Sequence, residues 1–352
     1  MRTKTNLSAS ATLAYGGVLI NTMPIWLVRL GDKATADETL PGILATVILL
    51  ATAAGCAVGK VILARSLAAI AAALALIGLT VLAVVVDNMS QHTLVVAGGG
   101  FGIVLGLLLR KTLVIMLQTH DPPRLVAEGV SVGVLASAVV LLADSIQGGG
   151  MLSFIAGLSI VPLCLAMARG RGLHAHTEVR YALERPWQHA SFLVFFLGMG
   201  AYWAFLEAYA EYIGLGSIGD WLLAGLMTSA MGAALASRLR SSIHRRMMLL
   251  SLLATAFSGG ITYLATTPLT VGISICANGF FLFMFFPLYL GTGRADQAGP
   301  RLVVYLSGFA LGGALGALAV VWGDFPGLAV VVAASGIMAA PAVLRSPPHE
   351  VV

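Results

Sequence analysis

The residue best suited to moving a proton is Glu207, which stands near the C-terminal end of the apolar stretch FFLGMGAYWAFLEAYAEY. An ionisable side chain inside a membrane span is costly, and it therefore marks a functional position by default. Apolar surroundings favour the protonated form of a carboxyl group, which is the form that a proton carrier must reach. Two other interpretations stay open: Glu207 binds a cationic solute, or it is a carboxylate at the membrane rim, like Glu211.

A second acidic candidate is Glu128, which follows the segment DPPR at the start of another apolar stretch. An acid in the first turns of a helix complements the helix dipole, and Arg124 lies one turn earlier. A structural or gating role is therefore one interpretation of Glu128, and direct proton coupling is the other.

Two amides, Asn21 and Asn278, stand near the middle of apolar stretches. A buried amide needs hydrogen-bond partners within the protein, because lipid supplies none. Trp203 lies one helical turn before Glu207 on the same face, and Tyr202 is its neighbour. Aromatic rings and amides with few charges suit a neutral or amphipathic solute.

Nucleotide and cofactor chemistry is not predicted. The segment GCAVGK, residues 55–60, has three residues between its glycines and a Val after its Lys, whereas a phosphate loop needs four residues and a Ser or Thr. A disulfide framework or a thiolate cluster needs more cysteines, or closer spacing, than the chain offers at Cys56, Cys164 and Cys276. We expect no cofactor, no resident metal and no enzymatic activity, and we expect the energy source to be an ion gradient or the solute's own gradient.

Copper chemistry is an alternative. Met227 and Met231 are four residues apart, as are His244 and Met248, and each pair puts two soft ligands on one helix face. A copper or other metal-ion importer therefore stays open as a second interpretation.

The composition of the 352-residue chain defines the elements that must position these residues. Hydrophobic residues make up 59% and charged residues 10%, whereas soluble domains carry about 25% charged residues. These values exclude a soluble enzyme or a nucleic-acid-binding protein and predict a polytopic, all-α membrane protein.

Twelve stretches are long enough to cross a bilayer. Residues 169–190 form the only long polar segment and separate six spans from six. We therefore predict an N-terminal bundle (1–168), a cytoplasmic interdomain loop (169–190) and a C-terminal bundle (191–352). The approximate centres of the spans are Leu19, Leu50, Leu76, Leu105, Ala136, Ile160, Gly200, Met227, Thr255, Phe281, Gly312 and Ala333.

The basic residues predict the orientation of the spans. With the N-terminus in the cytoplasm, only Arg29 and Lys33 of the 20 Lys and Arg residues fall in outer loops. Cytoplasmic loops of membrane proteins are enriched in Lys and Arg. The charges therefore predict that both termini are cytoplasmic, and one missed or extra span in the middle would destroy the pattern.

The two halves share a layout that resembles the major facilitator superfamily. In both halves the second span ends in small residues and a basic loop, and the fifth span begins at a Pro-Arg pair. The second loop contains LASRL and then two arginines, similar to the G-x-L-A-D-R-x-G-R-R motif of that family, with Ser237 where the family usually has Asp. The resemblance implies that this loop gates the cytoplasmic side. The residues that it assigns to the cytoplasmic gate loop are Lys60, Arg65, Arg238 and Arg245.

The resemblance implies a secondary transporter of two six-helix bundles that works by alternating access. It implies that spans one, four, seven and ten line the substrate cavity. The residues that we therefore expect to contact the solute are Asn21, Tyr202, Trp203 and Asn278. The expected partners are a small solute, protons and the bilayer of the cell (inner) membrane, with no nucleic acid, and the protein is expected to be a monomer. A non-transporting membrane assembly factor with the same fold is the alternative from another class of function.

Overall fold

The computed structural model describes residues 2–33, 40–58, 90–147, 186–215 and 218–345. This part of the chain forms helices and no strand, as the apolar composition predicts, because a lone segment in lipid satisfies its backbone hydrogen bonds only as a helix. The described α-helices are α1 (Arg2–Lys33), α2 (Leu40–Val58), α3 (Gln91–Leu117), α4 (Pro122–Gln147), α5 (Pro186–Tyr212), α6 (Gly219–Ala236), α7 (His244–Thr262), α8 (Pro268–Gly291) and α9 (Ala298–Leu344). Single 3-10 turns, Ser241–Ile243 and Ala295–Gln297, precede α7 and α9.

Six spans in the described part of the chain are long and apolar enough to cross a membrane, and the number is seven if α6 and α7 form one broken span. α6 and α7 are bent by 116° relative to each other. The protein is therefore a multi-pass helical membrane protein. The predicted spans centred on Leu76 and Ile160 lie outside the described residues, so the total of twelve and the cytoplasmic termini stay predictions.

α9 contains the two predicted spans centred on Gly312 and Ala333. Its backbone leaves the helical conformation at Gly323 and Asp324, where Asp324 has a left-handed φ of 53°. A side chain at Gly327 would lie 2.8 Å from the carbonyl oxygen of Ala319, so the chain folds back at this point. Asp324 Oδ1 accepts the N–H of Phe325 at 2.9 Å and thereby satisfies a donor at the start of the second helix.

The chain divides into two compact units, and each unit combines two separate ranges of the sequence. The first unit combines Met1–Ala182 with Leu290–Leu306, and the second combines Leu183–Tyr289 with Ser307–Val352. The end of α8 and the start of α9 therefore belong to the first unit. The bundle boundaries at 168 and 191 stay predictions.

Glycines set the helix contact in the first unit. α3 carries Gly98, Gly102 and Gly106 on one face, and α2 packs directly on them. A Cβ atom at Gly102 would lie 2.5 Å from the carbonyl oxygen of Ile48, and one at Gly106 would overlap the carbonyl oxygen of Thr52. Small residues let two backbones approach closely in a membrane, so this stripe serves packing within one unit.

The second unit uses the same device between α5 and α9. A Cβ atom at Gly200 would lie 2.7 Å from the carbonyl oxygen of Phe309, and Gly312 packs against the backbone of Gly200. Aromatic rings fill the space beside this crossing, with centroid separations of 4.8 to 6.2 Å. Phe309 is half-buried, and the other rings are buried, at Phe192, Phe195, Phe196, Phe285 and Tyr289.

Candidate functional site

Glu207 lies on the face of α5 that the second unit leaves uncovered. Its side chain is exposed, as are Ala204, Ala208 and Glu211 at positions i−3, i+1 and i+4. Within the described part of the chain it has no ion-pair or hydrogen-bond partner. The environment of this carboxylate is therefore set by the water or lipid that meets the helix surface.

Trp203 lies at the edge of that exposed face of α5. Tyr202 lies on the opposite, buried side of the same helix. Trp203 is half-buried, and its ring packs edge-on against Tyr202 with centroids 5.3 Å apart. Tyr202 is 0% exposed. Its carbonyl oxygen accepts the hydroxyl proton of Tyr263, the residue that follows α7, and its own hydroxyl lies 3.5 Å from Thr262 Oγ1.

Asn278 on α8 is also fully buried, with 0% exposure. Its Nδ2 donates to the carbonyl oxygen of Thr255 on α7 at 2.9 Å. One turn earlier on α8, Ser274 Oγ lies 2.9 Å from Thr262 Oγ1. Tyr202 and Asn278, predicted together from the sequence, therefore meet against one helix, α7.

A stripe of hydroxyl side chains on α7 joins these residues, and sequence reasoning missed it. Ser251, Thr255, Ser258 and Thr262 are all buried and follow one another at i, i+4, i+7 and i+11. Each hydroxyl donates to a carbonyl oxygen three or four residues back, at 2.7 to 3.2 Å. The helical spacing of small hydroxyls on an otherwise apolar segment is the signal that could have revealed this stripe.

Asn21 belongs to the first unit, on α1. It is half-buried, and its neighbour Thr22 donates to the carbonyl oxygen of Val18 at 2.7 Å. The structure therefore assigns the four predicted solute residues to two different units.

Glu128 forms an ion pair with Arg124 on α4, with 2.9 Å between Oε1 and Nε. The two side chains are 44% and 64% exposed, respectively. An exposed pair at i, i+4 contributes roughly 0.3–0.5 kcal/mol to the helix. The geometry is that of a helix-stabilising pair, and the coupling role of Glu128 stays a prediction.

Two residues of the predicted gate loop, Lys60 and Arg65, lie outside the described residues. Arg238 is exposed, whereas Arg245 Nε donates to the carbonyl oxygen of Val343 at 3.2 Å. Arg245 thus satisfies a carbonyl group at the C-terminal end of α9, where a cation is also favoured by the helix dipole. The gating role of these residues stays a prediction.

Arg110 at the end of α3 has a bonding role that the sequence did not reveal. Its Nη1 donates to the carbonyl oxygens of Cys56 and Ala57, at 2.7 and 3.0 Å. These carbonyl groups lie in the C-terminal turn of α2 (Leu40–Val58). The guanidinium group also touches Gly299, where a Cβ atom would lie 3.0 Å from its Cζ.

The two candidate copper pairs have different surroundings. Met227 and Met231 are 48% and 62% exposed on α6. His244 is buried, and its Nε2 lies 3.0 Å from the carbonyl oxygen of Leu239. Within the described residues, no group of three or more His, Cys, Asp or Glu side chains comes together.

No protein-family model and no curated protein matches this sequence. The fold, in contrast, matches solved transporters over nearly their whole length. The human organic anion transporter MFSD10 (TETRAN) aligns with a TM-score of 0.71 at 12% identity, covering 97% of this chain and 98% of that one. A variant of the E. coli fucose:proton symporter FucP aligns with a TM-score of 0.69 at 13% identity, covering 96% and 98%. The chain therefore has the fold of the major facilitator superfamily transporters, as the layout of its two halves predicts.

Proposed function

We propose that the protein is a secondary active transporter, which moves a small solute across the cell membrane by alternating access. The observation that carries the proposal is the likeness to two transporters over nearly all of both aligned chains. Alternating access needs two bodies that rock around a site near the bilayer midplane. A chain with two compact units fits that requirement. We assign the bundles to 1–168 and 191–352, joined by the cytoplasmic loop 169–190, and take the protein to act as a monomer.

The proposed solute is neutral or amphipathic. Trp203 and Asn21 are partly exposed, so they can touch a solute directly. Tyr202 and Asn278 are fully buried within the second unit and would meet a solute only after its helices rearrange. Aromatic surface and amide groups bind apolar and uncharged polar parts of a ligand, respectively.

Proton coupling is the proposed energy source, and Glu207 is the proposed carrier. The E. coli neighbour is named as a proton symporter. Glu207 is exposed on its helix and has no ion-pair partner among the described residues, so a proton can reach its carboxyl group without an ion pair having to break. Glu128 is the second candidate, but it would first have to leave Arg124.

A non-transporting assembly factor is the competing function, and one observation favours it. Ser237 stands where the family motif usually has its acid, and it donates to the carbonyl oxygen of Ala234 at 2.7 Å. Without that acid, this loop cannot supply the carboxylate for an ion pair that holds the two bundles together on the cytoplasmic side. A protein that does not transport would not need that ion pair.

Reconstitution into proteoliposomes tests the proposal. A proton gradient directed into the proteoliposomes is applied, with a pool of uncharged and amphipathic solutes outside. We expect at least one solute to accumulate in the lumen. Accumulation should collapse when a protonophore is added, and copper uptake is measured as a separate arm. A folded, reconstituted protein that moves no solute would favour the assembly factor, and accumulation of copper alone would favour the metal importer.

A further inference from the structure

Two buried polar groups of the second unit are incompletely hydrogen-bonded by the residues that the structure describes. They are the amide oxygen of Asn278 on α8 and the hydroxyl group of Tyr202 on α5. Both side chains are 0% exposed. Both border Gly259 on α7, where a Cβ atom would lie 3.0 Å from Asn278 Nδ2 and 3.3 Å from Tyr202 Cδ2.

The Asn278 amide needs a donor. Its Nδ2 is committed to the carbonyl oxygen of Thr255 at 2.9 Å, which fixes the orientation of the amide group. Its Oδ1 is buried and has no hydrogen-bond partner in the described part of the chain. Leaving a buried acceptor unsatisfied is unfavourable, since the group has given up its bonds to water.

The Tyr202 hydroxyl needs an acceptor. Among the described residues, its hydroxyl partner is Thr262 Oγ1 at 3.5 Å, a separation longer than the roughly 2.5–3.0 Å of ordinary O–H···O bonds. In contrast, Tyr209 on the same helix donates to the carbonyl oxygen of Ala265 at 2.7 Å. The Tyr202 proton is therefore poorly bonded in a place that excludes bulk solvent.

The neighbouring hydroxyl groups do not solve the problem, because each has only one proton to give. Thr262 Oγ1 lies 3.0 Å from the carbonyl oxygen of Ser258. Ser274 Oγ lies 2.8 Å from that of Val271. Thr262 and Ser274 are also 2.9 Å apart, Oγ1 to Oγ, so the Thr262 proton is shared between Ser274 and the backbone. With both protons used in these bonds, the site offers an acceptor that needs a donor and a donor that needs an acceptor.

We propose that an ordered water molecule is bound inside the second unit between Asn278 and Tyr202. It donates to Asn278 Oδ1, accepts the Tyr202 hydroxyl proton and thereby links α5 and α8 beside α7. Buried waters in proteins typically serve otherwise unsatisfied polar groups in this way. Tyr202 and Asn278 are also two of the residues proposed to meet the solute after a rearrangement. The water is inferred from their hydrogen bonding alone and is tested without solute, so it stands or falls separately from the proposed transport activity.

The chemistry of the two groups selects water over a cation. A cation can coordinate the amide oxygen, but it cannot accept the proton of Tyr202. A cation in a bundle interior also needs compensating charge, and the described residues hydrogen-bonded to Asn278 and Tyr202 are uncharged.

X-ray hydroxyl-radical footprinting tests the site, because radiolysis of a bound water modifies the side chain that it touches even in a buried place. We expect Tyr202 to be modified faster than Tyr289, which is 1% exposed and packed in the aromatic cluster. The Asn278→Leu variant should bring the Tyr202 rate down to that of Tyr289. The Tyr209→Phe variant should not, because the Tyr209 hydroxyl already bonds directly to a carbonyl group.

Equal rates for Tyr202 and Tyr289 in the wild-type protein would overturn the proposal without any variant. A Tyr202 rate that is unchanged by Asn278→Leu in a folded protein would show that Asn278 does not hold the water. If sodium raises the unfolding temperature of the wild-type protein but not that of Asn278→Leu, a cation and not a water occupies the site. If Asn278→Leu does not fold, transfer of the wild-type protein into ¹⁸O-labelled water should show ¹⁸O entering the Tyr202 product more slowly than the products of exposed residues. Entry at the same rate would contradict an internal water.

Discussion

Replacing Glu207 with Gln should abolish the accumulation of solute driven by a pH gradient while leaving the exchange of internal for external solute intact. The Gln side chain keeps nearly the shape of the protonated acid but cannot release a proton. Solute binding and the movement between inward-facing and outward-facing states therefore remain possible, whereas coupling to the proton gradient is lost. The measurement compares the two modes of uptake in the same proteoliposomes, and gradient-driven accumulation should fall to the level of protein-free vesicles.

Glu211→Gln is the matched control, because Glu211 lies one turn further along α5 and is also exposed. It should accumulate solute as the wild-type protein does. If Glu207→Gln still concentrates solute, Glu207 is a rim carboxylate and the coupling proposal fails. If both exchange and accumulation disappear because solute no longer binds, the carboxylate is a solute ligand, and the solute is cationic.

Replacing Gly106 with Ala should destabilise the first unit strongly. The added methyl group would overlap the carbonyl oxygen of Thr52 and lie 2.8 Å from the backbone nitrogen of Cys56. Backbone atoms cannot move aside as a flexible side chain can, so α2 and α3 must separate. Overpacking of this kind costs about 1–3 kcal/mol, and the separation also disturbs the bonds from Arg110 to the end of α2. Thermal unfolding in detergent should show a clearly lower midpoint.

Gly100→Ala on the same helix is the control, since a Cβ atom added at Gly100 would have no neighbouring atom within 4 Å. Ala is a better helix former than Gly by about 1 kcal/mol, so this variant should unfold at the wild-type temperature or above it. If both variants lower the unfolding midpoint equally, the contact with α2 does not explain the loss of stability at Gly106.

The sequence was sufficient to predict the class of protein and the fold, because both depend on features that survive divergence. Low charge and long apolar stretches determine the membrane class, and the repeated layout of the halves determines the fold. The turn between the last two spans was also predictable, since Gly323 and Asp324 interrupt an apolar stretch that is too long for one span. The expectation that the buried amide of Asn278 finds a partner is confirmed for its Nδ2, which donates to the carbonyl oxygen of Thr255.

The rotation of each helix about its own axis was not predictable. In water, the apolar face of a helix marks its buried side, but in a membrane both the lipid-facing and the buried sides are apolar. Tyr202 and Trp203 are neighbours in sequence, yet one is buried and the other is half-exposed. Arg245 illustrates the same limit for the loops, because its bond to the carbonyl oxygen of Val343 spans 98 residues of sequence.

The most direct test of the transporter proposal needs no knowledge of the solute. In a protein with its three native cysteines replaced, Trp203→Cys should react with a membrane-impermeant thiol reagent from the outside and, in inverted vesicles, from the cytoplasmic side. Asp324→Cys should react only from the outside and Arg240→Cys only from the cytoplasm, which fixes the sidedness of the assay. Reaction of Trp203→Cys from both sides is what alternating access predicts. Reaction from one side only, at every pH tested, would contradict it.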